Sequence, residues 1–306
     1  MRSVLFLCSL TGLLAGLGSA APACGGHGDR NTMLVTTTWL AEHLKDPNLV
    51  VLAVGQDGDF EKGHIPGSVF VRYQDTYLRR SPAGLTTELP PMTELVETFG
   101  KLGVSNDSHV VLYMTNDWVS PTTRIYLTLD AMGLGAHTSL LDGGLPAWQA
   151  EGRPVTTDVP TVKHGKLEPC AQSDVITDLD YMKSKLHHSG VDIIDVRAEE
   201  HYSGAQLPKG IDSRRGHIPG ASSLPFEKLI DESNNKLKPA KELQAILAEA
   251  GVKKGDQVVS YCYIGQRATV IYFVARYLGY DARLYDGSWE EWNKHTELPT
   301  EVSPTK

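Results

Sequence analysis

One cysteine of this sequence stands where a cysteine could act as a nucleophile. The apolar run 258–261 leads directly into the segment 262–267, Cys-Tyr-Ile-Gly-Gln-Arg, and a helical pattern covers residues 268–278. In a short loop between a buried strand and a helix, backbone N–H groups turn inward and, with the helix N-terminus, favour negative charge at the loop centre. Such surroundings stabilise a thiolate, which is the nucleophilic form of cysteine. We therefore interpret Cys262 as a nucleophile in an anion-binding loop.

Two further residues of the segment support this interpretation. Gly265 gives the backbone the freedom that a tight loop requires. Arg267 supplies a permanent cation with a planar fork that suits an oxyanion. A cysteine at a strand end can instead be a buried structural residue. The combination of Cys262, a glycine-containing loop and Arg267 at a strand-to-helix junction favours the catalytic interpretation.

The chain contains an internal duplication. Three short motifs occur twice in the same order, about 150 residues apart: Gly-His-Ile-Pro-Gly at 63–67 and 216–220, an apolar run at 109–113 and 257–261, and Asp-Gly at 142–143 and 286–287. Solenoid repeats span only about 20–50 residues, so a period of this length indicates duplicated domains.

Residues that only one copy carries are candidates for function. Met114 stands at the position of Cys262 in the first copy, and methionine cannot form a thiolate. Asp195 and Arg197 also lack counterparts, because the first copy has 53–55, Ala-Val-Gly, at that place. These differences assign the chemistry to the second copy.

Residues that both copies share are expected to be structural. His64 and His217 occur at the same position of the repeated turn, as do Asp142 and Asp286 in the Asp-Gly motif. A histidine that persists in a copy without a nucleophile is interpreted as a turn or packing residue rather than a general base. We therefore expect the first copy to be a scaffold.

The sequence predicts an α/β fold in both copies. Short apolar runs alternate with helical patterns, which is typical of a mostly parallel sheet with helices on both faces. In the second copy, helices are predicted at 181–187 and from Pro239 to a stop at Gly251.

The domain boundaries follow from composition. A stretch rich in Pro, Thr, Val and Lys without helical period separates the two copies and is interpreted as a linker. The predicted organisation is a first domain at 31–153, the linker at 154–172 and a second, catalytic domain at 173–301.

The first 23 residues are typical of a cleaved secretory signal. Arg2 precedes an apolar run at 4–17 that is short for a membrane span, and small residues follow at 18–23. We interpret residues 1–23 as a signal peptide, and the mature protein as exported to a periplasm or secreted. Cys24 leaves a lipoprotein as the alternative, although the leucine usual three residues before such a cysteine is absent.

Composition excludes several classes of function. The chain has 29 Lys and Arg against 37 Asp and Glu, a net charge of −8, which argues against a general nucleic-acid or anionic-membrane binder. Its four cysteines are too few and too scattered for a disulfide framework, and no two have zinc-site spacing. No metal is expected. Cys170 lies in a polar stretch and is interpreted as an incidental, exposed thiol.

Taken together, these motifs resemble the tandem rhodanese family of sulfurtransferases. The resemblance rests on the repeated Gly-His-Ile-Pro-Gly, the Asp-Val-Arg at 195–197, the loop 262–267 and the closing Asp-Gly with Trp289, and it extends over residues 36–298. It implies two rhodanese-like α/β domains, of which the first is inactive and the second catalytic. It implies no cofactor and no metal.

The resemblance also implies roles for individual residues. Cys262 matches the residue that accepts sulfane sulfur as a persulfide, and Arg267 matches the last residue of the active loop. Arg197 matches the arginine that helps to bind the anionic donor, and Asp195 its supporting carboxylate. The remaining residues of the loop are expected to line the donor site: Tyr263, Ile264, Gly265 and Gln266.

The expected partners are a small anionic sulfur donor and a thiophilic acceptor, with the chain as a monomer. Because Arg197 and Arg267 offer two cations, the dianion thiosulfate is favoured as donor to cyanide or a thiol. The alternative donor is 3-mercaptopyruvate, since the loop matches neither familiar subtype of the family.

Two other classes of function remain as alternatives. Cysteine-dependent phosphatases and arsenate reductases also bracket an anion with Cys and Arg, but five residues separate the pair there and four separate Cys262 from Arg267. A sulfur-carrier or redox module would use the same Cys262 and pass sulfur to a protein partner, with Cys170 as a resolving thiol in a redox role.

Overall fold

The structure is a computed structural model, and it describes residues 30–56, 58–116, 119–168, 170–172, 174–208 and 213–303. The predicted signal peptide and Cys24 lie outside these residues. Within the described ranges, no helix has the length and apolar character that a membrane crossing requires.

The first domain alternates strands with helices. Its elements in chain order are α1 (Arg30–Met33), β1 (Leu34–Val35), α2 (Thr37–His43), β2 (Leu49–Gly55), α3 (Asp59–Lys62), β3 (Val69–Arg72), α4 (Met92–Lys101), β4 (His109–Met114), α5 (Val119–Ala131), β5 (Thr138–Leu141) and α6 (Gly144–Ala150). A single turn of 3-10 helix, Tyr73–Thr76, follows β3.

The second domain repeats this plan and adds a small hairpin. Its elements in chain order are β6 (Ile176–Thr177), α7 (Leu179–Lys185), β7 (Val191–Asp195), α8 (Glu199–Tyr202), β8 (Ser222–Ser223), β9 (Ile230–Asp231), β10 (Lys236–Leu237), α9 (Ala240–Glu249), β11 (Gln257–Tyr261), α10 (Ala268–Tyr277), β12 (Ala282–Tyr285) and α11 (Ser288–Lys294). β9 and β10 form the antiparallel hairpin.

Each domain carries one five-stranded parallel sheet, and the strand order is the same in both. The orders are β1-β5-β4-β2-β3 and β6-β12-β11-β7-β8. Side chains of β4 alternate between two cores: Val110 and Leu112 belong to one, Val111 and Tyr113 to the other. The sheet is therefore buried on both faces, as its apolar strands require. The predicted α/β class and the duplication are confirmed.

Helix α7 begins earlier than its apolar pattern predicts. The pattern indicated residues 181–187, whereas the helix covers Leu179–Lys185. Asp178 explains the difference, because its carboxylate accepts a hydrogen bond from the N–H of Tyr181 at 2.8 Å and so caps the helix. At the other end, His187 has a φ of 54°, which the helix cannot contain.

The two domains pack through helices α5 and α10. The hydroxyls of Thr123 and Thr269 are hydrogen-bonded at 2.7 Å across the contact. The rings of Tyr126 and Phe273 meet edge to face with centroids 4.8 Å apart. Both helices are almost entirely buried, so the largest apolar core of the molecule runs through both domains.

Cys170 differs from its prediction as an exposed, incidental thiol. It is half-buried and disulfide-bonded, and its N–H donates to the carbonyl of Met132 at 3.1 Å. The chain around it therefore packs against the end of α5 instead of extending into solvent. A disulfide also removes Cys170 as a resolving thiol in its present state. Cys262 is the free cysteine of the described residues.

Candidate active site

Cys262 follows β11, the central strand of the second sheet, and is only 2% exposed. Its N–H donates to the hydroxyl of Ser288 at 3.3 Å, and its carbonyl accepts from the N–H of Trp289 at 3.0 Å. The peptide is thus held on both sides by the turn that begins α11. These contacts fix the sulfur at the carboxyl edge of the sheet, where parallel α/β sheets bind their ligands.

Glycine is required at position 265 of the loop. Gly265 has a φ of 78°, in the left-handed region. A Cβ there would lie 2.7 Å from the carbonyl oxygen of Asp286 and 2.8 Å from its Oδ1. The loop therefore approaches the Asp-Gly turn more closely than any side chain permits.

Side chains of the first domain donate hydrogen bonds to carbonyl groups of the loop. The hydroxyl of Thr87 donates to the carbonyl of Ile264, and Nη1 of Arg124 donates to the carbonyl of Gly265 at 3.1 Å. The side-chain amide of Gln266 donates to Ser120 Oγ at 3.2 Å. With its carbonyls engaged on the outside, the loop can turn its N–H groups towards Cys262. The description of the first copy as a scaffold is therefore incomplete.

Arg124 and Asp286 form a buried ion pair beneath the loop. Nη1 of Arg124 lies 2.5 Å from Oδ1 of Asp286, and Nη2 donates to the carbonyl of Thr87 at 2.5 Å. Arg124 is 0% exposed. Burial lowers the pKa of its guanidinium, but the carboxylate of Asp286 outweighs this effect and the pKa is raised. The prediction that Asp286 is merely structural, like Asp142, misses this role.

Sequence reasoning also missed the residues of the first domain that reach the loop: Thr87, Ser120 and Arg124. One signal could have identified Arg124. It lies in the middle of α5, where the neighbouring Ile125, Tyr126 and Leu127 are apolar. An arginine within a fully buried helix requires a buried anionic partner.

Arg197 is buried within the second domain, where two nitrogens of its guanidinium are hydrogen-bonded. Its Nε and Nη2 donate to the carboxylate of Asp195 at 2.7–3.0 Å, and Nη2 also donates to the carbonyl of Gly216 at 2.7 Å. The guanidinium is stacked 4.1 Å from the ring centre of Trp289. Arg197 is only 4% exposed. These contacts engage Nε and Nη2 and support a positioning role for Arg197, while its contact with a donor stays a prediction.

Asp195 is the centre of this second buried cluster. Besides Arg197, it accepts a hydrogen bond from the phenol of Tyr261 at 2.7 Å. Burial raises the pKa of Tyr261, and the carboxylate raises it further, so the phenol stays protonated and donates. Tyr261 immediately precedes Cys262, and the cluster therefore fixes the end of the strand that carries the nucleophile.

Arg267 lies at the surface, whereas Tyr263, Ile264 and Gln266 are half-buried. Arg267 is exposed at the N-cap of α10, and its guanidinium is 5.9 Å from the ring centre of Phe226. The carbonyl of Tyr263 accepts from the N–H of Glu290 at 2.9 Å. A cation at the rim of an inward-facing loop attracts anions without lying beneath them.

The two repeated histidines are structural, as predicted from their presence in both copies. Nδ1 of His64 is bonded to the carbonyl of Phe60 at 2.8 Å and its ring stacks on that residue at 3.5 Å. His217 makes the same pair of contacts with Tyr202. Among the described residues, neither histidine is hydrogen-bonded to Cys262.

The described residues contain no group of three or more His, Cys, Asp or Glu side chains that could hold a metal ion. The site therefore consists of a thiol, main-chain dipoles and arginines. Such a site can stabilise an anionic nucleophile and an anionic leaving group without moving a proton in the nucleophilic step.

Comparison with known proteins agrees with this geometry. The model of the rhodanese-like domain matches residues 36–151 and 178–295. The sulfur carrier protein TtuD of Thermus thermophilus is 32% identical over 87% of this chain and 95% of its own. The thiosulfate sulfurtransferase of Azotobacter vinelandii is 30% identical over 86% of this chain and 94% of its own.

A solved structure shows the same arrangement of both domains. The crystal structure of SseA from Escherichia coli, described as a 3-mercaptopyruvate sulfotransferase, superposes with a TM-score of 0.72 at 27% identity and covers 84% of this chain and 99% of its own. Two α/β domains, each with a parallel sheet, and a cysteine loop on the second domain define the class of fold. The chain belongs to the rhodanese family, and the reaction class is sulfur transfer.

Proposed function

We propose that this protein is a thiosulfate sulfurtransferase that works through a persulfide on Cys262. The observation that carries the proposal is the loop itself: its carbonyls are held from outside by Thr87 and Arg124, which leaves its N–H groups for the anionic sulfur. Arg267 at the rim adds a cation, and thiosulfate is the dianion that gains most from it. The Azotobacter vinelandii relative is named for this donor.

The reaction consists of two displacements on sulfur. The thiolate of Cys262 attacks the outer sulfur of thiosulfate, a new S–S bond forms, and the S–S bond of thiosulfate breaks with its electron pair on the departing sulfite. Cyanide or a thiolate then attacks the outer sulfur of the persulfide, and the electron pair of the broken bond returns to Cys262. The loop N–H groups stabilise thiolate, persulfide and leaving group in turn.

Steady-state kinetics with cyanide as acceptor test the choice of donor. We expect kcat/KM for thiosulfate to exceed that for 3-mercaptopyruvate, and Arg267→Ala to lower the thiosulfate value about tenfold through loss of one charged interaction. Lys254→Ala, at an exposed position, is the matched control for net charge. A tenfold preference for 3-mercaptopyruvate in the wild type would identify that compound as the donor instead.

A sulfur-carrier role is the second candidate. It is favoured by the name of the Thermus thermophilus relative. In that role Cys262 passes its sulfur to a protein, so turnover with cyanide would be slow although thiosulfate loads the cysteine. Comparison of the loading rate with the turnover rate separates the two functions. A phosphatase function has no such support, because only four residues separate Cys262 from Arg267.

We also propose that the protein is exported after removal of residues 1–23 and acts as a monomer. The sequence pattern of the N-terminus supports export. Mass spectrometry of the exported protein should find a new N-terminus near Ala21 or Cys24. An intact Met1 would contradict this proposal, and a lipid on Cys24 would identify a lipoprotein. Light scattering tests the monomer.

A further inference from the structure

Ser288 stands at the start of α11 in a backbone conformation that residues other than glycine rarely adopt. Its φ is 52°, in the left-handed region, and the residue is completely buried. This conformation brings the Cβ of an ordinary residue too close to its own main chain, whereas glycine adopts it freely. The serine therefore makes this turn less stable than glycine would, unless contacts of its side chain compensate.

The first domain has glycine at the equivalent position. Gly144 follows the Asp-Gly pair at 142–143 as Ser288 follows the pair at 286–287, and its φ of 57° is nearly the same. Both turns thus require the left-handed conformation, and only the turn of the second domain places a side chain in it. A residue that only the catalytic copy carries is a candidate for function, as Cys262 is.

The two turns also differ in how closely the preceding strand end approaches them. A Cβ on Gly144 would lie 2.6 Å from the carbonyl oxygen of Met114 and 3.2 Å from its nitrogen, so the first domain has no room for a serine. In the second domain, Cys262 stands at the position of Met114, and the side chain of Ser288 lies between it and the turn. The serine therefore keeps the main chain of Cys262 farther from the turn than Met114 lies from Gly144.

The hydroxyl of Ser288 joins the ends of two neighbouring strands of the second sheet. It accepts a hydrogen bond from the N–H of Cys262 at 3.3 Å, directly after β11, and donates one to the carbonyl of Tyr285 at 2.8 Å, at the end of β12. Buried N–H groups in folded proteins are nearly always paired. Removal of this hydroxyl would take an acceptor away from the buried N–H of the nucleophile itself.

The contact on the opposite side of the loop follows the same pattern. Thr87, whose hydroxyl donates to the carbonyl of Ile264, has a φ of 62° and stands two residues before Leu89, which binds the second domain's Asp-Gly turn. In the other half, Asn235 has a φ of 57° and stands two residues before Leu237, which binds the first domain's turn. Asparagine tolerates this conformation better than threonine. The catalytic loop is thus held by strained hydroxyl residues where the other half has tolerant ones.

We propose that Ser288 is a positioning residue for Cys262, and that its destabilising conformation is retained because its hydroxyl sets the place of the sulfur within the loop. The inference rests on the proposed persulfide on Cys262. Ser288 binds the N–H of the cysteine and the N–H of Trp289 binds its carbonyl, so the direction of the side chain between them is fixed. Misplacement of a reacting atom by about 1 Å can slow a reaction about 10²-fold. Ser288 therefore acts on the rate of sulfur transfer and not on the affinity for the donor.

The test removes the hydroxyl in two ways that differ in their effect on stability. Ser288→Gly and Ser288→Ala both lose it, but only glycine relieves the left-handed backbone. In the full-length protein, we expect both variants to lower the saturating rate of Cys262 loading by thiosulfate about tenfold, the effect of one hydrogen bond. The half-saturating thiosulfate concentration should stay near the wild-type value. Mass spectrometry of quenched samples measures loading, and the urea midpoint of Ser288→Gly should exceed that of Ser288→Ala.

Ser68→Ala is the matched control. Ser68 is also a buried serine whose hydroxyl donates to the carbonyl three residues earlier, that of Ile65 at 2.7 Å, but it lies in the first domain. This variant should lower the urea midpoint and leave the loading rate unchanged. A wild-type loading rate in Ser288→Gly, or loading rates that follow the urea midpoints of the three variants, overturns the inference. A urea midpoint of Ser288→Gly at or below that of Ser288→Ala overturns the assignment of strain.

Loading of the wild type separates this inference from the proposed function. If thiosulfate loads Cys262 and the Ser288 variants load at the same rate, the inference alone is wrong. If only 3-mercaptopyruvate adds a sulfur to Cys262, the proposed donor is wrong, and the same comparison of variants with that donor decides the role of Ser288. If neither compound loads Cys262, the proposed function fails and the inference fails with it.

Discussion

The two Asp-Gly turns of this molecule occupy equivalent positions but meet different neighbours. Asp142 accepts a hydrogen bond from the N–H of Leu237 at 3.1 Å, and Asp286 accepts one from Leu89 at 3.2 Å, so each turn binds the main chain of the opposite domain. Asp286 is buried and additionally pairs with Arg124, whereas Asp142 is half-buried. The shared residue is structural in one domain and anchors the catalytic loop in the other.

The difference originates in the two helices that face each other. Thr123 and Thr269 are equivalent and in contact, and the residue that follows differs between the two helices. That residue is Arg124 in α5 and Val270 in α10. A duplicated fold can therefore differ through its partner domain: the copy without the cysteine carries a cation that supports the other copy's loop.

The largest expected effect tests whether the cysteine is the only difference between the two domains that matters for activity. Cys262→Ser should lower sulfur transfer at least about 10³-fold, because the thiolate forms the covalent intermediate. Adding Met114→Cys to that variant should not restore activity, since Val270 stands at the position of Arg124 and cannot form an ion pair with Asp142. Cyanide turnover and the mass of the loaded protein provide the readouts. Recovery of activity in the double variant would contradict the asymmetry described here.

The next effect concerns the cation that crosses between the domains. Arg124→Met leaves Asp286 buried without its partner and the carbonyls of Gly265 and Thr87 without a donor. We expect the free energy of unfolding to fall by about 3–5 kcal/mol. Urea denaturation measures it.

The double variant Arg124→Met/Asp286→Asn is the control for this prediction. It should recover part of the lost stability, because it no longer buries an unpaired charge. Loop geometry should remain impaired, so kcat stays low. A single-variant loss below about 1 kcal/mol would show that the ion pair does not anchor the loop.

A smaller effect distinguishes positioning from donor binding at Arg197. Arg197→Lys keeps the charge and loses the fork that holds Asp195 and Gly216. We expect the stability to fall by about 1.5–3 kcal/mol, as for hydrogen bonds to a charged group, with a smaller change in KM for thiosulfate. Urea denaturation and donor kinetics measure the two quantities. A raised KM at unchanged stability would return Arg197 to the donor site.

The pH dependence of stability tests the contact between α5 and α10. Burial raises the pKa of Asp130 to about 7, while the phenol of Tyr272 lies 2.5 Å from its Oδ2 and lowers it. The pKa of a free aspartate is about 3.9, so the native state binds the additional proton between the two values. Stability should therefore fall as pH rises from about 4 to 7, by at most about 1.4 kcal/mol per pH unit, and be constant above.

Two substitutions test whether Asp130 causes this pH dependence of stability. Asp130→Asn should abolish this part of the slope, whereas Asp158→Asn, at an exposed position, should leave it unchanged. Arg276 does not replace Tyr272 as partner, because its Nε is 3.9 Å from the carboxylate, beyond hydrogen-bond distance. If the stability of the wild type instead rises with pH across this range, and Asp130→Asn removes the rise, the direction assigned to the pKa shift of Asp130 is wrong.

Local patterns in the sequence were sufficient to predict the fold and the strand-to-helix loop that begins at Cys262. Short apolar runs predicted the central strands, and the internal repeat predicted two similar sheets. The loop around Cys262 could be recognised because all of its determinants are contiguous. Comparison of the copies then singled out Cys262 as a residue without a counterpart, since Met114 stands at its position in the first domain.

The contacts between domains could not be predicted in the same way. Arg124 is 141 residues away from Gly265 in the chain, and no local pattern indicates that the two meet. The rule that shared residues are structural did not reveal the ion pair of Asp286, because its partner lies in the other domain. The donor-binding role of Arg197 stays a prediction, and the contacts of its guanidinium with Asp195 and Gly216 within its own domain could not be anticipated from the sequence.

The smallest effect is expected at the turn of the first domain. Burial raises the pKa of Asp142, and the N–H of Leu237 that it accepts partly offsets the rise. Asn at this position can still accept from Leu237 and carries no charge to desolvate. Asp142→Asn should therefore change stability at pH 7 by less than about 1 kcal/mol and leave the loop of the other domain intact.

Asp286→Asn provides the matched measurement at the other turn. It keeps an acceptor for Leu89 but leaves Arg124 buried without an anion, so the loss of stability should exceed that of Asp142→Asn by about 2 kcal/mol or more. Urea denaturation of both variants in one buffer gives the difference directly. Equal losses would mean that the ion pair with Arg124 adds no stability beyond the hydrogen bond that each turn accepts from the opposite domain.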